Sequence, residues 1–364
     1  MRYLFYWILV SATSTLADKF SDNLYQLFSK DFRNENLLVS PFSVSGVLAM
    51  CYIAAEGESA KKLKTLLGFP EDKIKVAEKY KKMLGKVKMD YQVHYEGSRP
   101  LSPNYESLVK EYFKADSNIV PNRTEPVIKI TTYWKFHDRI IKRTLPKEIS
   151  KALFKNNITL TDPWQYEFDA KNTKQADFKI SENKTVPVQM MHQRNIFRAA
   201  YFSDLQATVV ELPFHSRQMS LLLFLPNKVD GLWEMEKKIS DFSEPLNTAE
   251  AILALPKLRY GWRLRISERL EELGLGSLFT NEADFNLFGN LSSKLGDIFQ
   301  NVFLELKEKG AQSAPPSSQK DTKRSAPVVF SFNRPFAFLL KDESTTYFQG
   351  HVIDPSKINQ VNME

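Results

Sequence analysis

Apolar residues at Phe20, Leu24, Leu27 and Phe28 recur at helical spacing and predict a helix over Asp18–Phe32. Val44–Ala55 is nearly all apolar and predicts a second helix. In Glu56-Gly57-Glu58-Ser59, Gly57 is expected to stop one helix and Ser59 to cap the next. A lysine-rich helix is predicted over Asp72–Met89, with Ile74, Ala77, Met83 and Leu84 as its buried face. From Asn156 the pattern changes. Thr208–Leu212, Leu221–Leu225, Ile252–Leu258, Val302–Leu306, Val328–Phe332 and Pro335–Leu340 are β-rich or wholly apolar runs and predict buried strands. Helices fall early and strands late, with no βαβ rhythm and no internal repeat. That order predicts an α+β fold, and no break in composition divides the chain.

One segment interrupts the strand-rich half. Lys307–Pro327 is polar, rich in small residues and bounded by two strongly β-like runs. A loop of this length inside a compact domain is usually functional or disordered. It carries Lys323-Arg324-Ser325, a basic site of the kind trypsin-like proteases cut, and exposed loop tips are where nicking concentrates. The competing reading is a plain hairpin connection.

The N-terminus has the form of a secretory leader. Met1-Arg2 gives a positive start, Tyr3–Val10 an apolar core, and Thr15 and Ala17 the small residues of a cleavage site. Residues 1–17 are therefore read as a signal peptide. Residues 18–364 are read as one extracellular domain. Four Asn-x-Ser/Thr sequons agree with secretion: Asn122, Asn157, Asn183 and Asn290. Asn157 lies in a Leu/Phe/Ile stretch that reads as buried strand, a poor glycan acceptor.

Composition removes several classes. The chain has 364 residues, long enough for two domains at about 150 residues each, although single domains of this size occur. Hydrophobic residues at 43% and charged residues at 26% exclude wholesale disorder. The single cysteine excludes a disulfide scaffold and a paired-cysteine zinc site, and Cys51 in its apolar helix reads as a buried thiol. Outside the N-terminus no apolar run reaches membrane-spanning length. The five histidines, His94, His137, His192, His215 and His351, form no metal spacing, and neither a Gly-x-Ser-x-Gly elbow nor a phosphate-binding glycine loop is present. Enzymatic catalysis, a metal and a cofactor are thus not expected. Gly274-Leu275-Gly276 reads as a helix stop.

A net charge of +7 is divided between 50 basic and 43 acidic residues, so the surface is mixed. No nucleic-acid motif accompanies it. An anionic polysaccharide, an acidic membrane surface or no partner fits the charge equally well. Lys79, Lys81 and Lys82 are candidate contacts for a heparin-like polyanion. Glu71, Asp72, Glu78 and Asp90 dilute that patch and favour a merely solvated helix face.

An ordered set of motifs resembles the serpins. Asn36–Ser45 with Leu48-Ala49-Met50, Gly57–Ala60 leading to Leu66–Phe69, and Val188–Gln193 with Phe197 are similar to the family's early and central signatures. Glu211–Phe214, Leu225-Pro226, Leu255-Pro256-Lys257 and Ala283-Asp284-Phe285 continue the match. Phe332–Phe336 and Phe348–Pro355 resemble the closing signature. The resemblance implies three β-sheets, eight to nine helices and an exposed reactive-centre loop, here residues 307–327, in a molecule expected to be monomeric.

In the family pattern the cleaved bond follows the seventeenth residue counted from a hinge glutamate. Counting from Glu308 lands on Arg324, and counting back from Asn333 lands on Ser325. The resemblance thus implies a reactive bond Arg324–Ser325, flanked by Thr322 and Lys323, and a trypsin-like serine protease as partner. It also implies that the severed loop inserts as a strand into the main sheet. Hinge residues Gly310 and Ala311 suit a central strand. Pro315 and Pro316 stand where the family prefers alanine, and each removes a ladder donor. They favour the alternative of a non-inhibitory serpin acting as carrier, signal or polyanion binder.

Overall fold

The computed structural model describes residues 16–84, 88–96, 101–120, 133–136, 139–142, 152–159, 163–215, 219–239, 242, 244–286, 294–309 and 328–357. The signal-peptide core, Asn122, Asn290 and residues 310–327, including the Arg324–Ser325 bond, lie outside them.

The first helix runs Leu16–Asp31 and turns Phe20, Leu24, Tyr25 and Phe28 inward, as its periodicity requires. The second, Pro41–Ala54, begins earlier than predicted. Ser40 caps it by accepting from the Ser43 N–H at 3.2 Å, and Pro41 sits where no backbone donor is needed. It is buried on nearly every side and forms the centre of the molecule. Its lone thiol, Cys51, is buried, and that burial raises it far above the usual thiol range.

Two local expectations are corrected. Ser59 does not cap the third helix, which already starts at Gly57. Its hydroxyl is buried and accepts the Asp284 N–H at 2.9 Å, a partner more than two hundred residues away. The lysine-rich helix spans Lys73–Met83, not Asp72–Met89, because Leu84 already caps its end and the chain is strand from Lys88. Asp72 caps it, Val76, Ala77 and Tyr80 face inward, and Ile74 is exposed.

The described residues hold seven α-helices and sheets of nine, five and two strands. The largest sheet is ordered Leu37–Val39, Thr346–Val352, Phe336–Lys341, Ser220–Pro226, Ala207–Pro213, Lys184–Phe202, Asn247–Pro256 and Val328–Ser331. Lys174–Ser181 pairs with the first half of the long Lys184–Phe202 strand. The five-stranded sheet is ordered Leu258–Arg265, Ile298–Leu306, Ala152–Thr159, Lys88–Glu96 and Ala115–Val120. Tyr133–Phe136 and Arg139–Lys142 form the small hairpin. One hydrophobic core joins the early helices to both large sheets. A smaller one lies around Leu232, Met235, Phe224 and Phe242. No helix among the described residues is long and apolar enough to cross a membrane.

Candidate functional site

The polar segment 307–327 connects two different sheets. It leaves the end of Ile298–Leu306, the second strand of the five-stranded sheet, and returns as Val328–Ser331, the edge strand of the nine-stranded one. The return strand runs parallel to Ala251–Ala254 and exposes Val328 and Val329. The site is therefore built from two anchors and a pairing between strands.

The departing strand alternates sides. Ile298, Gln300, Val302, Leu304 and Leu306 are buried, while Asn301, Phe303 and Glu305 are half-buried, the period of a pleated strand on a core. It pairs antiparallel with Leu258–Arg265 and parallel with Ala152–Thr159, from Ile298↔Phe154 to Phe303↔Thr159. A segment folding back from Lys307 would run antiparallel to its own strand. Because Ala152–Thr159 is parallel to that strand, the same segment would be antiparallel to both. Entering between them replaces one slanted ladder by two perpendicular ones, the slightly stronger pairing.

The anchor at the loop's origin is tightly made. Trp164 Nε1 donates to the Lys307 carbonyl at 2.9 Å, and Phe168 N donates to the Glu308 carbonyl at 2.8 Å. The Glu308 carboxylate takes Lys257 Nζ at 2.6 Å and the Thr173 hydroxyl at 2.8 Å, with its side chain only 14% exposed. Partial burial alone would raise this carboxyl. The Lys257 ammonium, the residue's own backbone N–H and Thr173 outweigh it and hold Glu308 below the usual carboxylate range. Trp164 itself is fixed by stacking on Phe214, ring centres 4.6 Å apart. Gln193, from the long strand, donates to the carbonyls of Tyr166 and Glu167 and holds the intervening segment in place.

Lower in the same strand, Gln300 is fully buried and joins it to the start of the central helix. Its Oε1 accepts from Ser40 N at 3.0 Å, while Nε2 donates to Ser40 O at 2.7 Å and to Ser43 Oγ at 2.5 Å. Ser40 Oγ in turn donates to the Tyr347 carbonyl at 2.6 Å.

Of the residues singled out in the sequence, Glu308 and Lys307 are described, each held by the bonds given above. Thr322, Lys323, Arg324, Ser325, Gly310, Ala311, Pro315 and Pro316 lie outside the described residues. Asn183 occupies the exposed turn between Lys174–Ser181 and Lys184–Phe202. Asn157 lies in the middle strand of the five-stranded sheet. Lys79, Lys81 and Lys82 are exposed on their helix, with Lys81 paired to Glu111 at 3.0 Å and 4.9 Å above the Tyr112 ring. No cluster of acidic, histidine or cysteine residues able to hold a metal occurs among the described residues.

Sequence reading missed Trp164, Thr173 and Gln300. Gln300 had a signal: it is the one polar residue at the inward positions of an otherwise apolar alternation, the mark of a buried hydrogen-bonded side chain. Lys257, Ser40 and Ser43 were visible as motif residues but without a role. Trp164 and Thr173 had no local signal.

The comparisons with known proteins agree with this architecture. A family model described as Serpin (serine protease inhibitor) matches residues 15–355. Serine protease inhibitor 42Dd of Drosophila melanogaster is 36% identical, over 98% of this chain and all of the relative. The crystal structure of Serpin48 from the insect Tenebrio molitor superposes with a TM-score of 0.77 at 22% identity, covering 93% of this chain and 97% of that one. Human thyroxine-binding globulin, solved in complex with thyroxine, gives 0.79 at 19% identity, covering 94% of this chain and 98% of that one. With the family model spanning nearly the whole chain, and with one loop bridging two sheets from an anchored glutamate, this protein belongs to the serpin family.

Proposed function

We propose that the protein is a secreted inhibitor of trypsin-like serine endopeptidases that is cut at Arg324–Ser325 and traps the enzyme by loop insertion. The observation that carries this reading is the origin of the loop: Glu308, pinned by Lys257 and Thr173, lies two residues beyond a strand whose other neighbour is parallel to it. Arg324 meets the carboxylate of a trypsin-like specificity pocket. The protease serine oxygen bonds to the Arg324 carbonyl carbon, the Arg324–Ser325 bond breaks, and the Ser325 nitrogen leaves as the amine with the proton relayed by the protease histidine. The freed N-terminal part of the loop then enters the five-stranded sheet and carries the acyl-enzyme with it.

The second reading, a non-inhibitory serpin, rests on Pro315-Pro316. Adjacent residues of a strand point their N–H groups to opposite neighbours, so these two prolines remove one donor from each new ladder. An unpaired buried carbonyl costs about 1–3 kcal/mol, and each 1.4 kcal/mol added to the insertion barrier slows it about tenfold. Slow insertion releases the protease after cutting.

Mixing the protein with trypsin and running a denaturing gel decides between the two. A covalent band at the summed mass supports inhibition. Clean nicking after Arg324 with trypsin still active removes it and leaves the second reading. In either case, Pro315→Ala with Pro316→Ala should raise the trapped fraction at least tenfold relative to the nicked fraction. An unchanged ratio would clear the prolines of any role. Secretion after residue 17 and a glycan on Asn183 complete the proposal, with the exposed Lys79, Lys81 and Lys82 as the face open to a heparin-like polyanion. No metal or cofactor takes part.

A further inference from the structure

Tyr25, Ser29, Glu236 and His351 meet inside the molecule and take no part in the loop anchors. Glu236 is 1% exposed and His351 is fully buried. The Glu236 carboxylate receives the Tyr25 hydroxyl at 2.5 Å, the Ser29 hydroxyl at 2.8 Å and lies 2.9 Å from His351 Nδ1. The other ring nitrogen, Nε2, faces the carbonyls of Glu35 at 2.9 Å and Phe32 at 3.2 Å. Tyr25 OH is also 3.1 Å from Nδ1, and since its proton goes to Glu236 it can only accept there.

Every atom within hydrogen-bond reach of either ring nitrogen is therefore an acceptor. A neutral imidazole, whichever tautomer it took, would aim a lone pair at a carboxylate or at two carbonyls. Only the doubly protonated ring satisfies both sides. The other charged groups around it do not change this. Arg33 stacks on Trp233, whose ring meets His351 edge-on at 5.1 Å, the exposed Glu234 pairs with Lys237, and Glu35 contributes its carbonyl. On the strands beside it, His351 is registered with Leu37 and Ala337. Asp354, further along its own segment, accepts from Ser356.

The cluster joins four parts of the chain: the Leu16–Asp31 helix, the turn after it, the Leu232–Glu236 helix and the Thr346–Val352 strand. Gln26 strengthens the junction by donating to the Glu236 carbonyl at 2.9 Å. We propose that His351 is a protonated latch that fastens the Leu16–Asp31 helix to the body, and that loss of its proton as pH rises releases that helix.

Burial alone would push the His351 imidazole down. The Glu236 charge and hydrogen bond, with the two carbonyls, outweigh it and leave the ring above its ordinary value. Burial would push Glu236 up, but His351, Tyr25 and Ser29 hold its carboxyl below the usual range. For a raised imidazole the stabilising contribution is complete below about pH 6.5 and is lost as pH rises through the folded value. Across that interval the latched state binds one proton more than the open one, so the opening constant rises about tenfold per pH unit. The lowered Glu236 sets the acid limit: its contribution is present above about pH 4.3 and is lost as pH falls through its folded value.

Hydrogen exchange of the Phe20–Phe28 amides in the full-length protein, followed from about pH 6 to about pH 9 and corrected for the intrinsic rate, tests the latch. Protection should fall about tenfold per unit above about pH 6.5 and then level. His351→Lys, which keeps its charge over this range, should abolish the fall. The ring ¹⁵N shifts of His351 in the unaltered protein provide a readout that needs no variant, and should show both nitrogens protonated at neutral pH. A neutral ring there, or the same fall in protection with His351→Lys, overturns the proposal.

Discussion

Arg324→Glu should slow acylation of the loop by trypsin about 10⁴-fold. On the proposed function, a pocket built around a carboxylate would pair with the Arg324 guanidinium in a water-poor site. The substituted side chain leaves that carboxylate unpaired and sets a second one against it, and recognition sites that lose a buried polar partner discriminate by about 10⁴–10⁵. Electrostatic repulsion between the approaching surfaces lowers the encounter rate further. Progress curves of trypsin with the variant, read together with the site of any cut, measure the effect. Lys323→Ala serves as the control and should change the rate less than tenfold. A variant that still reacts at the original rate, or is cut after Lys323 instead, would move the reactive bond away from Arg324–Ser325.

The second large effect lies at the root of the loop. Glu308→Lys removes the ion pair to Lys257 and the bond from Thr173, and places two ammonium groups where one carboxylate and one ammonium stood 2.6 Å apart. Lys257 is 40% exposed, so water screens part of the interaction and replacing the carboxylate by an ammonium costs about 1–2 kcal/mol. In a chain of 364 residues that is about 1–3 °C of thermal midpoint. Trp164 and Phe168 still bind the backbone of 307 and 308, so the strand below should keep its register. Combining Glu308→Lys with Lys257→Glu should restore at least half of the lost stability, since the pair is rebuilt with its charges exchanged. Scanning calorimetry of the two single variants and the double variant provides the measurement. A single variant as stable as the parent, or a double variant with no recovery, would show that Glu308 is a bystander.

Both predictions start from residues the sequence already marked, yet they differ in how they were marked. Arg324 stood out by chemistry: a basic residue near the end of a long polar, small-residue stretch between two apolar runs. Glu308 was marked only by likeness to the serpin hinge. Nothing local in Lys307-Glu308-Lys309 announces an ion pair with Lys257, and a flanking lysine would have been the nearer guess. The wrong local readings have the same origin. Ser59 satisfies every rule for a helix cap, but its hydroxyl is taken by the Asp284 amide across the molecule. Ile74 fits a helical stripe, but the helix turns Val76, Ala77 and Tyr80 inward, with Tyr80 stacked on Phe113 of the Pro103–Phe113 helix, and Ile74 stays exposed.

What the chain alone determined is whatever depends on neighbours within a turn of helix or two residues of strand. That includes the early helices, the late strands, the inert buried Cys51 and the polar segment holding Lys323-Arg324-Ser325. Side-chain volume and polarity repeat at the period of the backbone that carries them, so these features are written locally. Only the tertiary structure decided the rest: that Trp164 closes on Lys307, that Gln300 ties a strand to Ser40 and Ser43, and that His351 finds Glu236 and Tyr25. Those partners lie more than a hundred residues apart in the chain. Their meeting is fixed by which sheets and helices pack together, and no short-range pattern records it.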